Sequence, residues 1–181
     1  LAYVGARLSM TSNYGLYQNY ILSKATPVLD KLTFKDEGSY LERYLRDILF
    51  STTAKFDYQP AIDKAKELFK NFMEKNESVQ PNFRYVVYNT GVRLGAREEW
   101  EFMWKKYQNE VVAEEKKKLL TSLSSSREAW LLQRCLEYTL NTSLIKSQDG
   151  DSVISSVASN PNGRLLAWDF FRLHWSTFRS R

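Results

Sequence analysis

Apolar residues recur at the spacing of an α-helix along nearly the whole chain, and no stretch sustains the two-residue alternation of a half-buried strand. Tyr14, Tyr17, Ile21 and Leu22 fall on one helical face. Tyr40, Leu41, Tyr44, Leu45, Ile48 and Leu49 form a stripe, with Glu42, Arg43, Arg46 and Asp47 expected outward. Ile62, Ala65, Leu68, Phe69 and Phe72 repeat the pattern, with Asp63, Lys64, Lys66, Glu67 and Lys70 on the other side. Later stripes run through Phe83-Val86-Val87, Trp100-Met103-Trp104-Tyr107, Leu119-Leu120-Leu123, Trp130-Leu131-Leu132-Leu136 and Leu165-Leu166-Trp168-Phe171-Trp175. The expected fold is all-α.

The gaps between stripes carry helix-end chemistry. Ser39, with Glu42 three residues on, fits a capping box after the Lys35–Gly38 turn. Pro60 and Pro81 sit where proline is tolerated, in a first helical turn. Gly95 follows Leu94 as a helix stop. Asp149-Gly150-Asp151 is expected to break one helix and cap the next, and Ser159-Asn160-Pro161-Asn162-Gly163 to end that helix and open the last. Roughly nine or ten helices joined by short turns predict antiparallel hairpins. Pairs of about 35 to 45 residues would stack as a HEAT- or armadillo-like superhelix over residues 1–181. A compact helical bundle is the alternative.

Charge and composition remove several function classes. The net charge is +5 and the pI about 9.2. Lys and Arg are nevertheless spread along the chain and mixed with Glu, without the stripe a nucleic-acid binder shows. The one dense run, Glu114-Glu115-Lys116-Lys117-Lys118, reads as a solvated helix face. No apolar run is long enough to span a bilayer. With one cysteine, Cys135, no internal disulfide is available, and its setting in Trp130–Leu136 is that of a small buried hydrophobe. With one histidine, His174, an H-E-x-x-H zinc motif is excluded, and neither a P-loop nor a G-x-S-x-G elbow is present. His174 lies in an aromatic helical stretch, as a packing or surface residue would. An enzyme built on it is the weakest of the three readings this sequence allows. Two N-x-[ST] sequons, at Asn76 and Asn141, would accept glycans in the secretory pathway.

One segment is distinctive: Asn160-Pro161-Asn162-Gly163-Arg164-Leu165-Leu166-Ala167-Trp168-Asp169-Phe170-Phe171, followed by His174-Trp175. It resembles the N-P-x-G-x-x-x-A-W-x-F…W segment in the C-terminal helical domain of the zinc aminopeptidase family that includes aminopeptidase N, glutamyl aminopeptidase, thyrotropin-releasing-hormone-degrading ectoenzyme and endoplasmic-reticulum aminopeptidase. Other matches follow the family order. Thr26-Pro27 through Leu32 resembles a T-P-L-y-x-x-L turn, and Leu68-Phe69 through Phe72 an L-F-x-x-W stretch. Pro81-Asn82-Phe83-Arg84 resembles P-N-L-R, and Glu98-Glu99-Trp100 resembles E-E-W. Trp130 through Leu136 resembles the W-x-L-x-R-x-L helix, and Leu144 through Asp149 resembles L-I-K-x-Q-D.

The resemblance implies a piece of a longer, multidomain zinc metallopeptidase that removes N-terminal residues from peptides. The family's zinc site lies in an earlier domain, so no catalytic or metal-binding residue carries over to this chain. Its C-terminal domain is a bowl of HEAT-like helix pairs that encloses the substrate chamber, meets the catalytic domain of the same polypeptide and can contribute to a homodimer. The family domain continues through further helices after the position of Trp175. Family members on the outer cell surface often carry two cysteine pairs here, where this chain has Thr53, Asn89 and Ser125. The similarity leans toward the extracellular face of the plasma membrane, whereas the missing cysteines lean toward a cytoplasmic branch, which is the alternative.

Within such a bowl, Arg84, Arg134 and Arg164 are the candidate contacts for a peptide carboxylate, because each sits within or beside an apolar stripe. Trp100, Trp104, Trp130, Trp168 and Trp175 are expected to cement adjacent hairpins. A free-standing helical scaffold that binds a partner protein is the alternative function.

Overall fold

The computed structural model describes residues 2–179. Among them there are eleven α-helices, one 3₁₀ turn and no strand. The order is α1 (Ala2–Leu8), α2 (Tyr14–Leu32), α3 (Tyr40–Lys55), α4 (Gln59–Lys75), a 3₁₀ turn (Pro81–Phe83), α5 (Arg84–Leu94), α6 (Arg97–Asn109), α7 (Ala113–Leu123), α8 (Ala129–Tyr138), α9 (Ser147–Ser159), α10 (Arg164–Leu173) and α11 (Trp175–Arg179). The chain is all-α and divides into two compact units, Leu1–Gly91 and Val92–Arg181.

In the first unit α2 packs on α3 and α3 on α4, each pair joined by a short loop. The α4 stripe buries Ile62, Ala65, Phe69 and Phe72 as the sequence predicts. Phe72 stacks on Tyr88 of α5, with ring centroids 5.4 Å apart. Gly91 is required by close approach: a Cβ there would lie 2.2 Å from the Phe69 ring.

Two expectations fail in this unit. The Thr26–Leu32 segment is not a turn, because α2 runs straight through Pro27. A mid-helix proline costs about 3 kcal/mol. Burial of Ile21, Ala25 and Leu29, one turn apart, holds the helix together across it, and Pro27 itself faces solvent.

The second failure is the facing of α3. Arg46, expected outward, is 3% exposed, whereas Tyr40 and Leu41 are 80% and 73% exposed, with Tyr44, Leu45 and Ile48 beside them. The buried face is Arg46, Phe50, Thr53 and Ala54. The end of α2 supplies the reason. The last carbonyls of a helix have no partner within it. Arg46 donates from Nε to the carbonyls of Leu32 and Thr33, at 3.0 and 3.2 Å, and from Nη1 to the carbonyl of Glu37 at 2.7 Å. One guanidinium thus closes α2 and pins the loop to α3.

The α3 start follows expectation. The Ser39 N–H donates to Glu42 at 2.7 Å and the Glu42 N–H to Ser39 Oγ at 3.4 Å. The Ser39 backbone and hydroxyl hydrogen bonds hold the Glu42 carboxyl below its ordinary range.

In the second unit α6 packs on α7, and α8, α9 and α10 pack on one another. Trp100 is fully buried and donates its indole N–H to the carbonyl of Leu123 at 3.1 Å. Trp104 is buried beside it, with centroids 6.0 Å apart. The other three tryptophans correct the expectation of a five-membered core set: Trp130, Trp168 and Trp175 are 48%, 58% and 52% exposed. On α8 the inward face belongs to Leu131, Leu132, Cys135 and Leu136, and on α10 to Ala167 and Phe170. A neighbour one residue away is turned about 100° around the helix axis, out of the core. Asp149-Gly150-Asp151 does not break a helix either. It lies in the opening turns of α9, where Asp149 complements the positive helix end.

Candidate functional site

The distinctive Asn160–Trp175 segment forms the loop between α9 and α10, then α10 and the start of α11. Asn160 donates from Nδ2 to the carbonyls of Ser124 and Ser126, at 2.8 and 2.7 Å. Its Oδ1 accepts from the Asn162 N–H at 3.0 Å. Asn162 in turn donates to the carbonyl of Arg127 at 3.1 Å. The two asparagines thereby tie the loop before α10 to the loop before α8. Pro161 between them carries no N–H to leave unsatisfied. At Gly163 a Cβ would sit 2.5 Å from the carbonyl oxygen of Val157 and 2.7 Å from its side chain, so only glycine permits this approach. Ala167 and Phe170 then bury the inner face of α10.

The same device recurs in the first unit. Asn82 donates from Nδ2 to both oxygens of Asp36, at 2.9 and 3.1 Å, and Phe83 plugs into the core against Phe50 with centroids 5.3 Å apart. Two of the segments that carry the family resemblance are therefore asparagine-based loop staples. Sequence reasoning marked them as motifs without their role. The signal available was an asparagine adjoining proline at a helix start.

The outer face of α10 is different. Trp168, Phe171, Trp175 and Phe178 line an open groove of about 680 Å³, walled on the α9 side by Ile154 and Ala158. Arg164 lines this groove and is half-buried. Among the described residues its side chain makes no hydrogen bond or ion pair. Arg164 is thus the candidate peptide contact that presents an uncommitted guanidinium beside an apolar wall.

Arg134 is placed elsewhere and is committed. Its guanidinium lies 5.1 Å from the Trp100 ring centroid and 5.2 Å from that of Tyr138. It donates to Glu101 and to the hydroxyl of Tyr138. Burial works against its charge, but the hydrogen bonds to Glu101 and Tyr138 outweigh it and raise its pKa. Arg84 belongs to the first unit, where its Nε donates to the carbonyl of Val79 at 3.0 Å. The structure does not bring Arg134 into the groove that Arg164 lines.

The remaining reactive groups are quiet. Cys135 is buried, and burial pushes its thiol up to about 12, far from the thiolate a nucleophile needs. His174 caps α10 with its ring against Phe170 at 4.6 Å. No three His, Cys, Asp or Glu side chains cluster as metal ligands among the described residues, so the residues present do not fit a zinc centre. No helix among them is long and apolar enough to cross a membrane. Asn76 caps α4 in the left-handed conformation at φ 56°, and Asn141 lies in the turn after α8; both are exposed.

The fold and its asparagine-stapled loops define an all-α helical domain. Comparison with known proteins gives the family. The model of the ERAP1-like C-terminal domain matches residues 1–181, and the chain belongs to that family. It is similar to aminopeptidase N of Oryctolagus cuniculus, 33% identical over 172 residues, covering 90% of this chain and 18% of the relative. It is also similar to aminopeptidase N of Bos taurus, 33% identical over 183 residues, 97% of this chain and 19% of the relative. Glutamyl aminopeptidase of Rattus norvegicus is 32% identical over 169 residues, 93% of this chain and 18% of the relative. The chain thus spans under a fifth of the length of the relatives it matches.

Proposed function

We propose that this chain is the non-catalytic C-terminal domain of a zinc metalloaminopeptidase, where it encloses the chamber that holds the peptide substrate. The observation that carries this reading is the family match over all 181 residues, together with relatives of which those residues make up only 18–19%. The zinc and the peptide-cleaving residues belong to the rest of that polypeptide. We read residues 1–181 as one helical-repeat domain whose consecutive hairpins are HEAT-like, which the packing of neighbouring helices within each unit supports. The domain meets the catalytic domain of its own polypeptide and can contribute to a homodimer. The family resemblance leads us to place it on the extracellular face of the plasma membrane, with the cytoplasm as the alternative.

Within the chamber, Arg164 is the residue we assign to the peptide's C-terminal carboxylate, because its guanidinium is uncommitted; Arg84 and Arg134 are secondary. The test uses the complete polypeptide. Arg164→Ala should raise KM about tenfold for peptides with a free C-terminus, the worth of one charge-assisted hydrogen bond. Hydrolysis of C-terminally amidated peptides and of an aminoacyl reporter should stay at the wild-type rate. Equal effects on free and amidated peptides would remove Arg164 from this role. Lack of aminopeptidase activity in the complete polypeptide would overturn the parent assignment. A second reading, a scaffold that binds a partner protein, is favoured by the exposed apolar face of α3. An H-E-x-x-H motif elsewhere in the same reading frame decides between the two.

A further inference from the structure

The turn between α8 and α9 presents a sequon in an unusual state of readiness. Asn141, Thr142 and Ser143 are all exposed. The turn is nonetheless ordered. The Asn141 N–H donates to the carbonyl of Tyr138 at 3.2 Å, and the Asn141 carbonyl accepts from the N–H groups of Leu144 and Ile145 at 3.0 and 3.1 Å. Ile145 anchors the segment in the core, fully buried. The Asn141 side chain is held by its own sequon. Its Oδ1 accepts from the Ser143 N–H at 3.0 Å and from the Ser143 hydroxyl at 2.7 Å. Both lone pairs of the amide oxygen are thereby engaged, while Nδ2 makes no hydrogen bond among the described residues.

We propose that Asn141 is an N-glycan acceptor, with Ser143 as the hydroxyl that orients the amide. This rests on the extracellular reading above, since the modification belongs to the secretory pathway. The donor is an oligosaccharide linked to a polyprenyl diphosphate. Nδ2 attacks the anomeric carbon, and the N–C bond forms as the C–O bond to the diphosphate breaks. The electron pair of that bond leaves with the lipid diphosphate, and Nδ2 gives up one proton to a base of the transferring enzyme. The folded surface accommodates the product, because all three sequon residues already stand in solvent and the freed direction is that of Nδ2. The glycan then marks this end of α8 as solvent-facing in the complete protein, outside any interface.

The other sequon differs. Asn76 is exposed, but it serves as the left-handed cap of α4, with its N–H on the carbonyl of Asn71. No hydrogen bond joins Ser78 to Asn76 among the described residues. The self-paired geometry is a property of Asn141.

The test expresses the complete polypeptide in eukaryotic cells behind an added cleavable secretion signal. Peptide N-glycosidase followed by peptide mass measurement should show Asn141 converted to aspartate. Ser143→Ala should abolish the conversion, and Ser143→Thr, which keeps the hydroxyl, should retain it. An unmodified Asn141 in the secreted wild-type protein overturns the proposal, as does a glycan that survives Ser143→Ala. A parallel expression without the added signal separates the two readings. A glycan on Asn141 there supports both. Its absence there, with Asn141 modified in the secreted form, overturns the extracellular reading and leaves the acceptor geometry standing.

Discussion

Arg46 shows how far one residue can depart from its helical pattern when a neighbouring helix needs donors. Its three hydrogen bonds to the carbonyls of Leu32, Thr33 and Glu37 make it a cap supplied from another helix. Replacing it with methionine keeps the volume and removes the donors. Arg46→Met should cost about 2–3 kcal/mol, the penalty for buried carbonyls left without partners. Denaturant unfolding of the wild type and variant measures this, and a loss below about 0.5 kcal/mol would assign Arg46 no more than a surface role. The tryptophans separate in the same way. Trp100→Ala removes a fully buried ring with a hydrogen-bonded N–H and should cost about 3–5 kcal/mol. Trp168→Ala, on the open side of α10, should cost under about 0.5 kcal/mol. Comparable losses at both sites would mean that the groove face of α10 is covered.

At the scale of the element, α3 joins a cap the sequence states outright to a facing it conceals. Ser39 and Glu42 are legible as a capping box because both partners lie within one turn of chain. Since the folded-state pKa of Glu42 is depressed, the cap contributes fully above the ordinary carboxylate range and is lost as the pH falls through the folded value. The protection of the first-turn amides of α3, relative to their intrinsic exchange rates, should therefore fall in acid, and Glu42→Gln should abolish that loss of protection with pH. An unchanged pH profile in the Gln variant would remove the carboxylate from the cap. The inward face of α3 was not legible, because the carbonyls that choose it lie 9 to 14 residues from Arg46, at the end of α2 and in the loop after it. In α10 the inner face was partly legible: Gly163, Ala167 and Phe170 stood out as a motif, but their spacing alone did not say that Trp168 and Trp175 point away.

At the scale of the whole chain, the outstanding property is apolar surface left in solvent. The face of α3 formed by Tyr40, Leu41, Tyr44, Leu45 and Ile48 is contiguous in helical register and exposed. A patch of this kind marks a contact surface in a larger assembly or an aggregation liability in isolation. The isolated chain should bind an apolar reporter dye, and Tyr44→Lys with Ile48→Lys should reduce that binding severalfold without lowering the melting temperature. A lowered melting temperature would show that the face belongs to this chain's own core. The family was legible at this scale, through short motifs in order along the chain. The candidate site was less so: of Arg84, Arg134 and Arg164, only Arg164 stands uncommitted among the described residues. The carbonyl and carboxylate that hold the other two lie on residues that hydropathy patterns do not connect.

The sequence by itself determined that this chain is helical and where most helices begin and end, because helical period, caps and prolines act within a few residues. It also determined the family, through short motifs in order. Tertiary structure decided which way α3 faces, that α2 survives Pro27, and which tryptophans form the core. Those outcomes depend on donors, carbonyls and packing partners brought in from other helices, and no local pattern contains them.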